Sequence, residues 1–250
     1  MHCSLACLLA SSLGLGWLGV GSPWSGALPQ DPPPVPPAPV TTQAPAATPA
    51  KDAADPKARP RPADAAALLA TFARMPGLEA SYDEEKHLAL LALPLRSKGR
   101  ILFLPPGHLL REVTSPEPGT VLLTPDELVV RDRERQETID LKRSDTVRLF
   151  TTSLVQVFAG DQAALAKAFT IEFRADEKIA NGWTLLLVPK DARLQKITKH
   201  LLLRGLGEAV TTIEVHDPNG DRTVTQITAA DVARRFDADE RRRWFRIEPR

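Results

Sequence analysis

Four histidines lie in the body of the chain, His87, His108, His200 and His216, and the chemistry open to them is metal ligation or proton transfer. Their scatter supports neither. No pair has the helical spacing of His-Glu-x-x-His, no Gly-x-Ser-x-Gly elbow presents a serine nucleophile, and no phosphate-binding loop is present. Asp83, Glu84 and Glu85 could supply an acid and a base, but on a strand they are expected to face water. The acidic loop from His216 to Asp221 has too few oxygen ligands at too loose a spacing for calcium, and its Asn219-Gly220 reads as a hairpin turn. Gly14-Leu15-Gly16-Trp17-Leu18-Gly19 spells a dinucleotide fingerprint, yet no strand precedes it and no βαβ unit contains it. No catalytic residue, metal site or cofactor is expected from these patterns, and the chain reads as a non-enzyme.

Charge excludes a second class. Lys and Arg number 32 against 31 Asp and Glu, and aromatics are 5% of the chain, so neither a basic stripe nor stacking platforms for nucleic acid are in prospect. No Asp, Glu, Lys or Arg occurs before Asp31, and Leu5 to Val20 is almost wholly apolar or small. This predicts a signal peptide over 1–27, cleaved after Ser25-Gly26-Ala27, with an uncleaved membrane anchor as the alternative. Cys3 and Cys7 are the only cysteines and would leave with the signal, so the mature fold must stand on its core. From 28 to 63 the chain is rich in Pro and Ala, a composition that cannot offset its ordering entropy and reads as a disordered spacer.

The elements follow from punctuation. Asp64 caps a helix expected over Ala65 to Met75, and a strand is expected over Leu78 to Leu88. Leu93 to Val130 contains short apolar segments each cut by Gly or Pro, which is the pattern of a β-meander. Gln136 to Leu141 returns as a strand. Asp145 to Phe158 repeats apolar residues at helical spacing, Gly160 ends it, and Asp161 opens a short helix to Ala168. Strands are then expected over Phe169 to Arg174, Gly182 to Val188, Ile197 to Arg204, Ala209 to Val215 and Thr223 to Ile227. Ala229 to Phe236 and Asp237 to Phe245 read as helical, the second with acids at its start and arginines at its end. Residues 64–230 thus form one folded body, and 231–250 a charged helical tail.

The order Pro94-Leu95, Ser97-Lys98-Gly99, Ile101-Leu102-Phe103, Pro106, Leu109 and Thr114-Ser115-Pro116 resembles the LolA-like family of periplasmic outer-membrane lipoprotein carriers. The resemblance extends over roughly residues 65 to 230. It implies an α+β fold, mainly antiparallel β, whose curved half-barrel sheet is covered by a few helices around an apolar cavity. It also implies a monomeric periplasmic carrier of acylated lipoprotein or another envelope lipid, served by an inner-membrane lipoprotein-releasing ABC transporter and an outer-membrane acceptor. The alternative function is a lipid-sensing regulatory domain of an envelope-stress system, which an uncleaved anchor would favour, and after it an envelope enzyme.

Several strands are apolar on both parities, notably Ile101 to Leu104, Leu185 to Val188 and Leu201 to Leu203, so either both faces are covered or one lines an apolar space. The residues expected to line the lipid cavity are Phe72, Ile101, Phe103, Leu109, Arg111, Val113, Phe150, Leu154, Phe158 and Trp183, with Val147 to Phe158 as a lid. The chain departs from the family in having Pro105 where an arginine ties sheet to lid, and Arg111 where a tryptophan is usual. Arg111 shares parity with Leu109 and Val113, so it either enters the cavity, bonding lid carbonyls or lipid ester oxygens, or lies on an edge strand in solvent.

Overall fold

The computed structural model describes residues 56–248; the expected signal with its cysteines and glycine run, and most of the Pro-rich spacer, lie outside the described residues. Within the last part of that spacer Pro56–Ala58 forms a turn of 3-10 helix, and Arg59 is 2.7 Å from Glu208.

Asp64 opens helix α1 (Ala65–Ala73) by accepting the amide of Ala67. The chain then runs through β1 (Leu78–His87), β2 (Leu95–Leu104), β3 (His108–Ser115), β4 (Gly119–Leu123), β5 (Glu127–Arg131) and β6 (Gln136–Asp140). It crosses over through α2 (Asp145–Ala159) and α3 (Gln162–Ala168), then returns as β7 (Phe169–Ala175) and β8 (Gly182–Pro189). A short helix α4 (Ala192–Gln195) leads to β9 (His200–Leu206), β10 (Ala209–His216), β11 (Arg222–Asp231) and a last helix α5 (Ala238–Phe245). The 11 strands make one sheet in the order β6-β5-β4-β3-β2-β1-β11-β10-β9-β8-β7. Every pairing is antiparallel, and the sheet is open, not closed into a barrel.

This order has one consequence for the site. The first and last strands meet in the middle, while α2 and α3 connect the two edges, so the connection passes over one face of the sheet. That inner face packs against α1, α2 and α3 as two apolar groups, one on β7 to β9 and one on β2 to β5. The outer face of β2 to β5, with Leu102, Leu104, Leu110, Leu122 and Val129, is covered by Phe236 and α5. Apolar residues on both parities of β2 are therefore explained by cover on both sides.

Gly160 carries the elbow between α2 and α3 at φ 65°, and a Cβ there would lie 2.1 Å from the carbonyl oxygen of Leu69. Only glycine allows both the turn and this close approach of α1.

Three expectations are corrected. Ala229 to Phe236 is not a helix: β11 continues to Asp231 because its register with β1 pairs Ala229 with Ser81 and Asp231 with Glu79. The strand expected from Ile197 begins at His200, since Asp191 caps α4 immediately before it. Among its described residues, the charged tail of 231–250 is helical only over α5, which keeps a solvated face and packs Phe245 with Phe236 against the sheet.

Candidate functional site

The inner layer is built from alternation. On β1 the buried set is Ala80, Tyr82, Glu84 and Lys86, so the strand turns one of its three consecutive acids inward. Glu84 was expected to face water with Asp83 and Glu85; it does not, because period-two alternation ties it to the face of Tyr82.

On the β7 to β9 side, Phe72 of α1 and Phe150 of α2 pack with Trp183, Leu185, Leu187, Leu201 and Leu203. Trp183 donates its indole N–H to the carbonyl of Gly207 at 2.8 Å, which satisfies its one polar atom. A Cβ on Gly205 would sit 2.0 Å from the indole, so the glycine makes the bay into which that ring fits. On the β2 to β5 side, Ile101, Phe103 and Leu109 pack with Val147, and Phe158 lies against Phe103 with ring centroids 5.6 Å apart. Val113 is buried on the same parity of β3. Helix α2 therefore spans both groups, with Phe150, Leu154 and Val157 on one and Val147, Val155 and Phe158 on the other.

Arg111 points inward and is 5% exposed. Strand β3 lies between β2 and β4, so it is not an edge. The guanidinium donates to Glu84 Oε1 at 2.7 Å and to the Tyr82 hydroxyl at 3.0 Å, and lies 4.8 Å from the centre of the tyrosine ring. Glu84 also accepts from Thr225 at 2.8 Å and from Ser97 at 3.3 Å. The expected contact of Arg111 with lid carbonyls is replaced by these bonds within the sheet. Burial works against the arginine's charge, but the Glu84 charge and then Tyr82 outweigh it and raise its pKa. Burial, reinforced by Glu84, raises the Tyr82 hydroxyl against the pull of Arg111. Both side chains thus keep their protons across the physiological range. Glu84 is held by three donors, Arg111, Thr225 and Ser97.

Between α2, α4 and strands β7 to β9 lies a pocket with about 10 Å³ of room for water centres, lined by Phe150, Ser153, Leu154, Phe169, Pro189, Leu194, Thr198 and Leu201. The Thr198 hydroxyl is buried there without a hydrogen-bond partner among the described residues. Ser153 is satisfied by donating to the carbonyl of Leu149 at 2.6 Å. Such a space is at the threshold for one water and far below what an acyl chain needs. Sequence reasoning missed Thr198 and Glu84; the Tyr-x-Glu-x-Lys alternation could have found the second, whereas nothing local marks the first.

The histidines do not assemble a centre. His200 and His216 stack with ring centroids 4.2 Å apart on the outer face, where Glu214 is 3.1 Å from His216. Burial, then the His216 charge, lowers the pKa of His200. Among the described residues no group of three or more His, Cys, Asp and Glu is placed to hold a metal ion, and no helix is long and apolar enough to cross a membrane.

A family model described as outer membrane lipoprotein carrier protein LolA-like matches residues 57–243. No curated protein matches the chain. Among solved structures, a LolA superfamily protein from Nitrosomonas europaea is 13% identical, with 70% of this chain and 96% of that one covered at a TM-score of 0.40. A putative outer membrane lipoprotein-sorting protein domain from Vibrio parahaemolyticus is 10% identical, covering 65% and 88% at a TM-score of 0.36. MucB, in its complex with MucA from Pseudomonas aeruginosa, is 11% identical; 67% of this chain covers 56% of that one, at a TM-score of 0.39.

Proposed function

The chain belongs to the LolA-like family of outer membrane lipoprotein carrier proteins, and from that premise we propose that it is a periplasmic carrier of acyl chains, taking up lipoprotein or another envelope lipid and delivering it towards the outer membrane. The observation that carries the reading is the position of α2, a single helix astride two apolar groups on one face of an open sheet. Such a helix can move away as a unit and uncover both.

In the carrier reading the cargo chain replaces the helix's own side chains. Phe150, Leu154 and Phe158 leave the sheet, and the tails lie against Ile101, Phe103, Leu109, Val113, Trp183 and, from α1, Phe72. The small pocket beside Leu154 and Thr198 is the place where that separation begins. Each methylene buried contributes ~0.8 kcal/mol, and exposing the lid's side chains costs part of this, so affinity is held to a level from which cargo can be released. Arg111 does not tie the lid. It lets a charged strand pass beneath the apolar layer with its charge matched by Glu84.

The test is mass spectrometry of whatever copurifies with the protein after export by its own signal and isolation without detergent. Lipoprotein or its acylated N-terminal peptide is the expected result, and free phospholipid would redirect the reading to transfer of bulk envelope lipid. A protein that emerges empty and stays empty when offered lipids would overturn carriage and leave the sensor.

A further inference from the structure

The β1–β2 hairpin ends in a stretch that neither the core nor the inner layer uses. Leu88-Ala89-Leu90-Leu91-Ala92-Leu93-Pro94-Leu95 runs from His87 to Arg96 without one polar side chain. Leu90 is 97% exposed, Leu93 77%, Leu91 48% and Leu95 44%. A lone leucine at a surface is ordinary, but this many on one hairpin tip make an apolar patch rimmed by polar residues, which marks an interaction site.

The hairpin holds the leucines out instead of letting them fold back. Below the tip, Arg96 is 3.0 Å from Glu85 and Lys98 is 3.2 Å from Asp83, pairs that fasten the two strands. Within the tip the amide of Ala89 donates to Asp221 at 2.9 Å and that of Leu91 to the carbonyl of Leu88 at 3.0 Å. These two backbone donors need nothing from a partner, and side chains are what the tip presents.

Charge around the tip says what covers it. Arg222, exposed on the adjacent β11, and Lys199, exposed where β9 begins beside β10, make no ion pair among the described residues and stand at the same end of the sheet. The carboxylates of Asp217 and Asp221 lie at the same end, Asp221 holding the amide of Ala89, but neither is paired with Arg222 or Lys199. Leucines at a tip with two unpaired exposed bases behind them match a bilayer whose surface is anionic and whose interior is apolar: the side chains enter at headgroup depth while the cations remain at the phosphates. We propose that the Leu88–Leu95 hairpin docks this protein on the surface of a membrane containing anionic phospholipid. The inference stands on residues outside the inner layer and holds whatever that layer carries.

The test compares the full chain with full-length L90S/L93S on vesicles of phosphatidylcholine with phosphatidylglycerol and on vesicles of phosphatidylcholine alone. The double variant is expected to bind the mixed vesicles at least about tenfold more weakly, with unchanged thermal unfolding and unchanged copurified lipid. R222Q and removal of phosphatidylglycerol should each weaken binding several-fold. Because both chains share an apolar N-terminus, a second readout isolates the hairpin: in L90W, brominated phospholipid should quench tryptophan emission beyond the level seen in the parent. No added quenching, or equal vesicle binding by parent and double variant, overturns the proposal. A parent that ignores vesicles but self-associates through these leucines would assign the patch to a second copy and equally overturn it.

Discussion

Arg111 and Glu84 are each nearly inaccessible to solvent and bonded to one another, so their energetics are those of a buried pair. Removing one partner leaves the other charge without compensation, at a cost of roughly 3–5 kcal/mol. Arg111→Ala should therefore lower unfolding stability in urea by about that amount. The double replacement Arg111→Met with Glu84→Leu should recover most of it, since well-packed apolar groups often replace a buried pair at little cost. Equal and additive losses in the cycle would show that the pair is not coupled. Thr198 poses the opposite case. Its hydroxyl is buried with no partner among the described residues, so Thr198→Val removes an unsatisfied group and should raise stability by about 1–2 kcal/mol. If a cargo carbonyl accepts from that hydroxyl, the same variant will hold less lipid; a stability gain with cargo unchanged would confine Thr198 to a packing role.

At the scale of elements, most of the chain was legible because its punctuation is chemical. Asp64 and Asp161 cap helices where expected, Gly160 ends one in the left-handed region, and Pro or Gly closes the meander strands; Asp237, expected inside the last helix, caps it instead. What sequence could not supply was tertiary. Ala229 and Ala230 have good helical propensity, yet pairing with Ser81 and Ala80 makes them strand. The charged appearance of α5 likewise hid its function, since its few apolar residues all fall on one side. Phe245 meets Phe236 edge to face at 5.1 Å, Arg100 lies 5.0 Å over Trp244, and Asp237 and Glu240 close a capping box. The inward turn of Glu84 was legible from alternation, but consecutive acids suggested a solvated strand. A prediction follows for α5: Phe245→Ala should cost about 3–5 kcal/mol, seen as a lower melting temperature, whereas Asp237→Ala should cost only about 1 kcal/mol. A Phe245→Ala protein as stable as the parent would mean that the outer face of β2 to β5 does not need its cover.

For the whole molecule, the decisive fact is that the layer between sheet and helices is filled by the protein itself. Phe103, Leu185 and Leu187 are completely buried by the protein's own side chains. A chain of about sixteen carbons offers roughly 12 kcal/mol at ~0.8 kcal/mol per methylene. In the carrier proposed above, withdrawing Phe150, Leu154 and Phe158 would forfeit about 1.5–3 kcal/mol for each side chain left exposed, which would leave loading favourable by a margin small enough to reverse. Two effects of opposite sign should then appear together. Binding to the folded state alone raises the melting temperature by mass action, while displacement of α2 loosens the helix that was displaced. Hydrogen exchange checks both in one experiment: amides of Asp145–Ala159 should exchange faster in protein loaded with an acylated peptide than in emptied protein, while those of β8 and β9 stay protected. Slower exchange throughout α2 on loading would mean that cargo binds beneath a helix that remains seated. In that event the two apolar groups would be a permanent core, and the space for cargo would have to be sought elsewhere in the fold.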